Sequence, residues 1–125
     1  MCLWLQLDLS YNQLCGVYYE YGELRGTYTA EGVLAIANAL KVTASLTSIN
    51  LAGNCLCGIW EEYESGKGMV QKGTYSAQGI TAIAEALKVT ASLTRLDVKY
   101  DALGEEGEAA LRKTIESRSG FELLL

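Results

Sequence analysis

An internal repeat constrains this chain more than any other feature. Lys41-Val42-Thr43-Ala44-Ser45-Leu46-Thr47 recurs letter for letter at Lys88 to Thr94, an offset of 47 residues. The same offset carries Thr27-Tyr28 onto Thr74-Tyr75 and Ala35-Ile36-Ala37 onto Ala82-Ile83-Ala84. Between Thr27 and Asn54, 16 of 28 positions are identical in the second copy. A period of about 20–50 residues marks an architecture of stacked supersecondary units, none of which buries its apolar face alone.

Each unit has two halves. Leu46 to Asn54 places apolar residues at 46, 49 and 51, and the alternation of 49 and 51 is strand spacing. The same frame reads Trp4 to Asn12 upstream and Leu93 to Asp101 downstream. The other half is Ala30 to Thr43, matched by Ala77 to Thr90. There Val33, Ile36, Ala37 and Leu40 keep the i, i+3, i+4, i+7 spacing of a helix with one buried face. Thr29 and Ser76 stand where an N-cap belongs. Alternating strand and helix predicts parallel strands joined by crossovers.

A strand reading L-x-L-x-x-N, followed by a helix reading G-x-x-A-I-A-x-A-L-K, resembles a leucine-rich repeat of the ribonuclease-inhibitor type, shared with NOD-like receptors. The motif residues are Leu7, Leu9, Asn12 and Leu14; Ile49, Leu51, Asn54 and Leu56; Leu96, Val98, Asp101 and Leu103. The resemblance implies an α/β fold: a leucine-rich-repeat solenoid, here a short horseshoe segment, with strands on the concave face and helices on the convex one. It divides the single domain 1–125 into repeats 3–45, 46–92 and 93–120, with a terminal strand at 121–125. It also implies a non-catalytic scaffold for protein partners, the C-terminal part of a longer protein. The alternatives are a structural cap for upstream repeats and an enzyme-associated regulatory module. Asn12 and Asn54 would turn the chain and satisfy backbone groups of the neighbouring repeat with their amides. Asp101 departs from that pattern: a carboxylate cannot donate, so the third rung is expected to be weaker.

The two ends differ. In the last helix Glu108 replaces Ile80 and Arg112 replaces Ala84, as expected where one side of a stack faces water. The first strand, Leu3 to Leu9, has no polar covering before it. Either upstream residues cover it, or the chain self-associates through this strand edge.

The first two repeats carry insertions at 16–26 and 58–73, each ending in Gly-Thr-Tyr. Val17-Tyr18-Tyr19-Glu20-Tyr21 has strand-type residues and Gly22-Glu23 can turn, so a hairpin is expected, and the second insertion suits the same shape. Both should project from one rim. Their rings either pack on one another or form a recognition patch. The open strand face reads as rows: Gln6, Ser48, Arg95; Asp8, Asn50, Asp97; Ser10, Ala52, Lys99; Tyr11, Gly53, Tyr100. The candidate protein-binding residues are Tyr11, Tyr18, Tyr21, Trp60, Tyr63, Arg95, Asp97, Lys99 and Tyr100.

Composition narrows the chemistry. The chain has 125 residues, a net charge of −5 and no histidine. Lacking histidine, it has no Ser-His-Asp or Cys-His pair and few routes to a zinc site. Cys55-x-Cys57 lacks a second ligand pair, and the Gly68 to Gly79 stretch lacks the acids of a calcium loop. Cys15 and Cys57 are equivalent in adjacent repeats, where stacking could bring them within disulfide reach; reduced, partly buried thiols are the favoured expectation. Asp8 and Asp97 do not make a catalytic pair, because the middle strand separates them. No enzyme activity, metal or cofactor is expected. An acidic chain is a poor fit to nucleic acid or an anionic membrane, and no apolar run reaches the roughly 18–20 residues of a membrane span. A cytoplasmic location is expected.

Overall fold

The structure, a computed structural model, describes residues 5–125, the side chains of Tyr19 and Leu24 excepted. The chain is mixed α/β. Four strands, β1 (Leu5–Asp8), β4 (Leu46–Asn50), β7 (Arg95–Asp97) and β8 (Glu122–Leu124), form one parallel sheet in chain order. Three helices, α1 (Glu31–Val42), α2 (Gln78–Leu87) and α3 (Gly104–Ile115), lie between them in sequence; α1 packs on α2, and α2 on α3. Two further pairs, β2 (Val17–Glu20) with β3 (Glu23–Gly26) and β5 (Ile59–Glu64) with β6 (Gly68–Gly73), are antiparallel hairpins. Leu3 and Trp4 of the expected first strand lie outside the described residues.

The strand alternation decides what is buried. Leu7, Ile49, Leu96 and Leu123 share one register line. Ile49, Leu51, Leu96 and Val98 are buried with Val33, Leu40, Ile80, Ile83, Leu87 and Leu111 from the helices. Leu7 holds the same place in β1 but is 42% exposed, because no described residue flanks that side of the sheet. In α3, Arg112 is exposed and Glu108 half-buried where Ala84 and Ile80 are buried in α2.

Two expectations need correction. The helix N-caps fall on Ala30 and Ala77, which make no side-chain cap bond. The hydroxyls of Thr29 and Ser76 serve from one residue earlier, accepting the amides of Glu31 at 3.2 Å and Gln78 at 3.3 Å. Ser48, read as open, is buried, because β1 and β7 close over it from both sides.

The turns after the strands are joined by Asn54. Its Oδ1 accepts the amides of Asn12 at 2.9 Å and Leu14 at 3.4 Å. Its Nδ2 donates to the carbonyls of Leu9 and Leu51 at 2.9 Å and of Ala52 at 3.2 Å. One side chain thus satisfies backbone groups of two successive turns, which a buried turn requires. Asp101 stands at the equivalent place in the next turn and its Oδ1 accepts the Asn54 amide at 2.6 Å. Between neighbouring units the hydroxyls of Tyr28 and Tyr75 donate to the carbonyls of Leu56 at 2.7 Å and Leu103 at 2.6 Å.

Candidate functional site

The hairpins are shaped by glycine at their necks. Gly16 and Gly58 enter at φ 80° and 79°, and Gly26 and Gly73 leave at φ 96° and 87°. These are left-handed values that only glycine adopts freely. A Cβ on Gly26 would run into the Gly16 carbonyl, and one on Gly73 into the Gly58 carbonyl. The space a side chain would fill is taken by a ring: Tyr18 lies against Gly26, and Trp60 against Gly73. Gly73→Ala is therefore expected to cost on the order of 1–3 kcal/mol. Gly66→Ala, at a tip with no neighbour within 4 Å, should lose only about 1 kcal/mol of backbone strain. Chemical denaturation of the two variants checks the ordering.

Above the necks the ribbons differ in length and tip. The first turns at Tyr21-Gly22, both at positive φ (51° and 79°), the pair of values of a tight hairpin turn. The expected Gly22-Glu23 turn is thus shifted by one residue. The second is longer and closes over Ser65, Gly66 and Lys67. Tyr21 is 93% exposed, Tyr63 74% and Tyr18 40%. Trp60 is half-buried and donates from Nε1 to Glu62 at 3.1 Å. Among the described residues none of these rings pairs with another; the one ring pair is Tyr11 with Tyr100. Between the hairpin roots lies an open groove of about 630 Å³, walled by Val17, Tyr28, Trp60 and Tyr75 with Thr27 and Thr74.

Tyr11, Gly53 and Tyr100 stand three residues past the ends of β1, β4 and β7. All three backbones are left-handed, at φ 55°, 69° and 62°. The ladder persists to this point, with the Tyr11 amide bonded to Ala52 at 2.9 Å and the Gly53 amide to Lys99 at 3.0 Å. The rings of Tyr11 and Tyr100 sit 6.5 Å apart at a 34° tilt, and a Cβ on Gly53 would collide with the Tyr11 ring. Glycine in the middle row lets the flanking tyrosines meet. Both remain exposed. A tyrosine in this backbone region costs roughly 1–2 kcal/mol, and at this exposure the rings recover little of that by burial.

Of the remaining predicted residues, Arg95 and Lys99 face outward, Arg95 within 3.4 Å of Glu122. Asp97 is buried, so it is no surface contact. Its carboxylate accepts the Lys99 amide at 3.0 Å and lies 3.8 Å from the Lys99 ammonium, so it positions Lys99. Asp8 is exposed. The hydroxyl and amide of Ser10, at 2.6 and 2.9 Å, hold its carboxyl below the usual range. Asn50 separates Asp8 from Asp97.

Cys15 and Cys57 are buried free thiols, pushed up to about 12 and about 11 chiefly by burial. Burial also raises half-buried Cys55. Among the described residues no group of three metal-ligating side chains is placed to hold an ion, and no helix is long and apolar enough to cross a membrane. Sequence reasoning overlooked Met69, exposed at 61% opposite Tyr63 on the second ribbon, and the structural posts Tyr28 and Tyr75. The repeated Gly-Thr-Tyr was the signal for the posts; Met69 had none. Comparison with protein-family models, with curated proteins and with solved structures finds no match.

Proposed function

We propose that the chain is a leucine-rich-repeat solenoid segment of the ribonuclease-inhibitor type, acting in the cytoplasm as a non-catalytic scaffold for a protein partner. One observation carries the binding part: the tyrosines of the two ribbons and of the strand ends stay exposed, the ribbon rings unpaired among the described residues and Tyr11 and Tyr100 paired only with each other. Tyr and Trp give large contact area for little entropy loss. Tyr11, Tyr18, Tyr21, Trp60, Tyr63 and Tyr100 would supply the contacts, with Arg95 and Lys99 at the charged border.

The test uses the backbone strain. Asparagine tolerates positive φ better than tyrosine does. Tyr11→Asn, Tyr21→Asn and Tyr100→Asn combined should leave the melting temperature level or higher while abolishing complex formation with a partner isolated on the wild-type chain. Retained binding would remove the surface from consideration. A second reading, a structural cap for preceding repeats, is favoured by the exposure of Leu5 and Leu7. On that reading, a repeat fused before Leu5 raises the melting temperature and the triple variant changes nothing else.

A further inference from the structure

The carboxyl of Asp101 is 1% exposed, and its two oxygens have unequal fates. Oδ1 accepts the Asn54 amide at 2.6 Å; Oδ2 is buried with no partner. The repeat says what belongs there. Asp101 is to Asn54 as Asn54 is to Asn12, and Oδ2 takes the place of the Asn54 Nδ2. That nitrogen donates back to the carbonyls of Leu9 in the preceding unit and Leu51 in its own, whose equivalents one unit on are Leu51 and Val98. An ionised carboxylate would aim a second acceptor at acceptors. A protonated one supplies the missing donor.

We propose that Asp101 is kept as a neutral carboxylic acid, its Oδ2–H doing the work of an asparagine amide, so that the joint between the second and third units closes with the proton bound and weakens when it leaves to solvent. Among the titratable groups around the carboxyl, Asp97 is the one whose charge favours the neutral form, and the thiols bring no cation. Asp97 approaches from β7, and Cys15, Cys55 and Cys57 from the two preceding turns. Glu106 of α3 acts on Cys57 and Tyr75. The nearest cation in sequence, Lys99, has its ammonium beside Asp97. Burial is the main cause that pushes Asp101 up to about 8 from its ordinary 3.8, against the backbone amides of Asn54, Leu56 and Cys55. Cys15 and Cys57, held well above that range, stay protonated throughout.

A carboxyl whose folded value is raised contributes stability fully present below its ordinary value and lost as pH climbs to the folded one. The unfolded chain then binds fewer protons than the folded chain, so the unfolding constant rises by about tenfold per pH unit across that window. Denaturant unfolding of the wild type and Asp101→Asn, measured from pH 5 to 9, isolates the group, because the other ionisations cancel in the ratio. The ratio of wild-type to variant unfolding constants should climb by about tenfold per unit and level off near pH 8. A ratio independent of pH overturns the proposal. Should the variant not fold, carbon-13 titration of the wild-type Asp101 carboxyl decides: a midpoint near 8 is expected, and one in the ordinary range near 4 overturns it.

Discussion

Asn54→Ala should lower the stability of the chain by about 3–5 kcal/mol, a large loss for a single side chain. The substitution strips the side-chain partner from the carbonyls of Leu9 and Leu51 and from the amides of Asn12 and Leu14, while the Ala52 carbonyl keeps the Tyr11 amide. Each buried group left unpaired costs about 1–3 kcal/mol, and relaxation toward water offsets part of the sum. Asn12→Ala is the control. The Asn12 side chain is exposed and, among the described residues, donates to the Ser10 carbonyl alone at 3.2 Å, so the loss should stay under about 1 kcal/mol. Equilibrium unfolding of both variants tests the pair. Similar losses at the two sites would mean that the bridge between turns is not what joins the first two units.

The second large effect is expected in the apolar interior. Leu87 is 1% exposed at the end of α2, and its truncation to alanine should cost about 2–5 kcal/mol through lost burial and the cavity left behind. Its neighbour two residues on, Val89, is 61% exposed, and Val89→Ala should change stability by less than about 0.5 kcal/mol. Leu87 closes α2 on its buried side and Val89 stands in the turn just past it, so burial and not residue type sets the two costs. Comparable losses at Leu87 and Val89 would mean the face assignment is wrong.

Much of this is legible in the amino-acid sequence. Near-identity over one period fixed the order of strand and helix, and the alternation at Ile49 and Leu51 assigned their face correctly. The row reading Asp8, Asn50, Asp97 matches the register found. What could not be read depends on neighbours. Ser48 and Asp97 are polar by letter, yet strands on either side bury them. Tyr21 turns the first hairpin at positive φ, a state its residue type argues against. Asp101 was read as a weaker rung because its letter suggests an anion; only the enclosed, unpartnered Oδ2 makes the neutral acid a possibility to test. Trp60 and Tyr18 were read as candidates for contact without the glycines they cover, since a ring lying on a backbone leaves no mark in local spacing.

Equivalent residues of the first two units stand 42 apart up to the hairpin entry, as in Leu7 and Ile49, and 47 apart beyond the exit, as in Gly26 and Gly73. The whole difference lies between the necks. Five additional residues were accommodated there while the posts, the turn bridge and the helix contacts kept their spacing. The ribbons therefore behave as exchangeable inserts on a fixed frame. Loops of other lengths and sequences, grafted between Gly58 and Gly73, should be carried without rebuilding the interior. On the proposed reading, such a chain changes much of what it touches through two short stretches while the frame beneath them stays fixed.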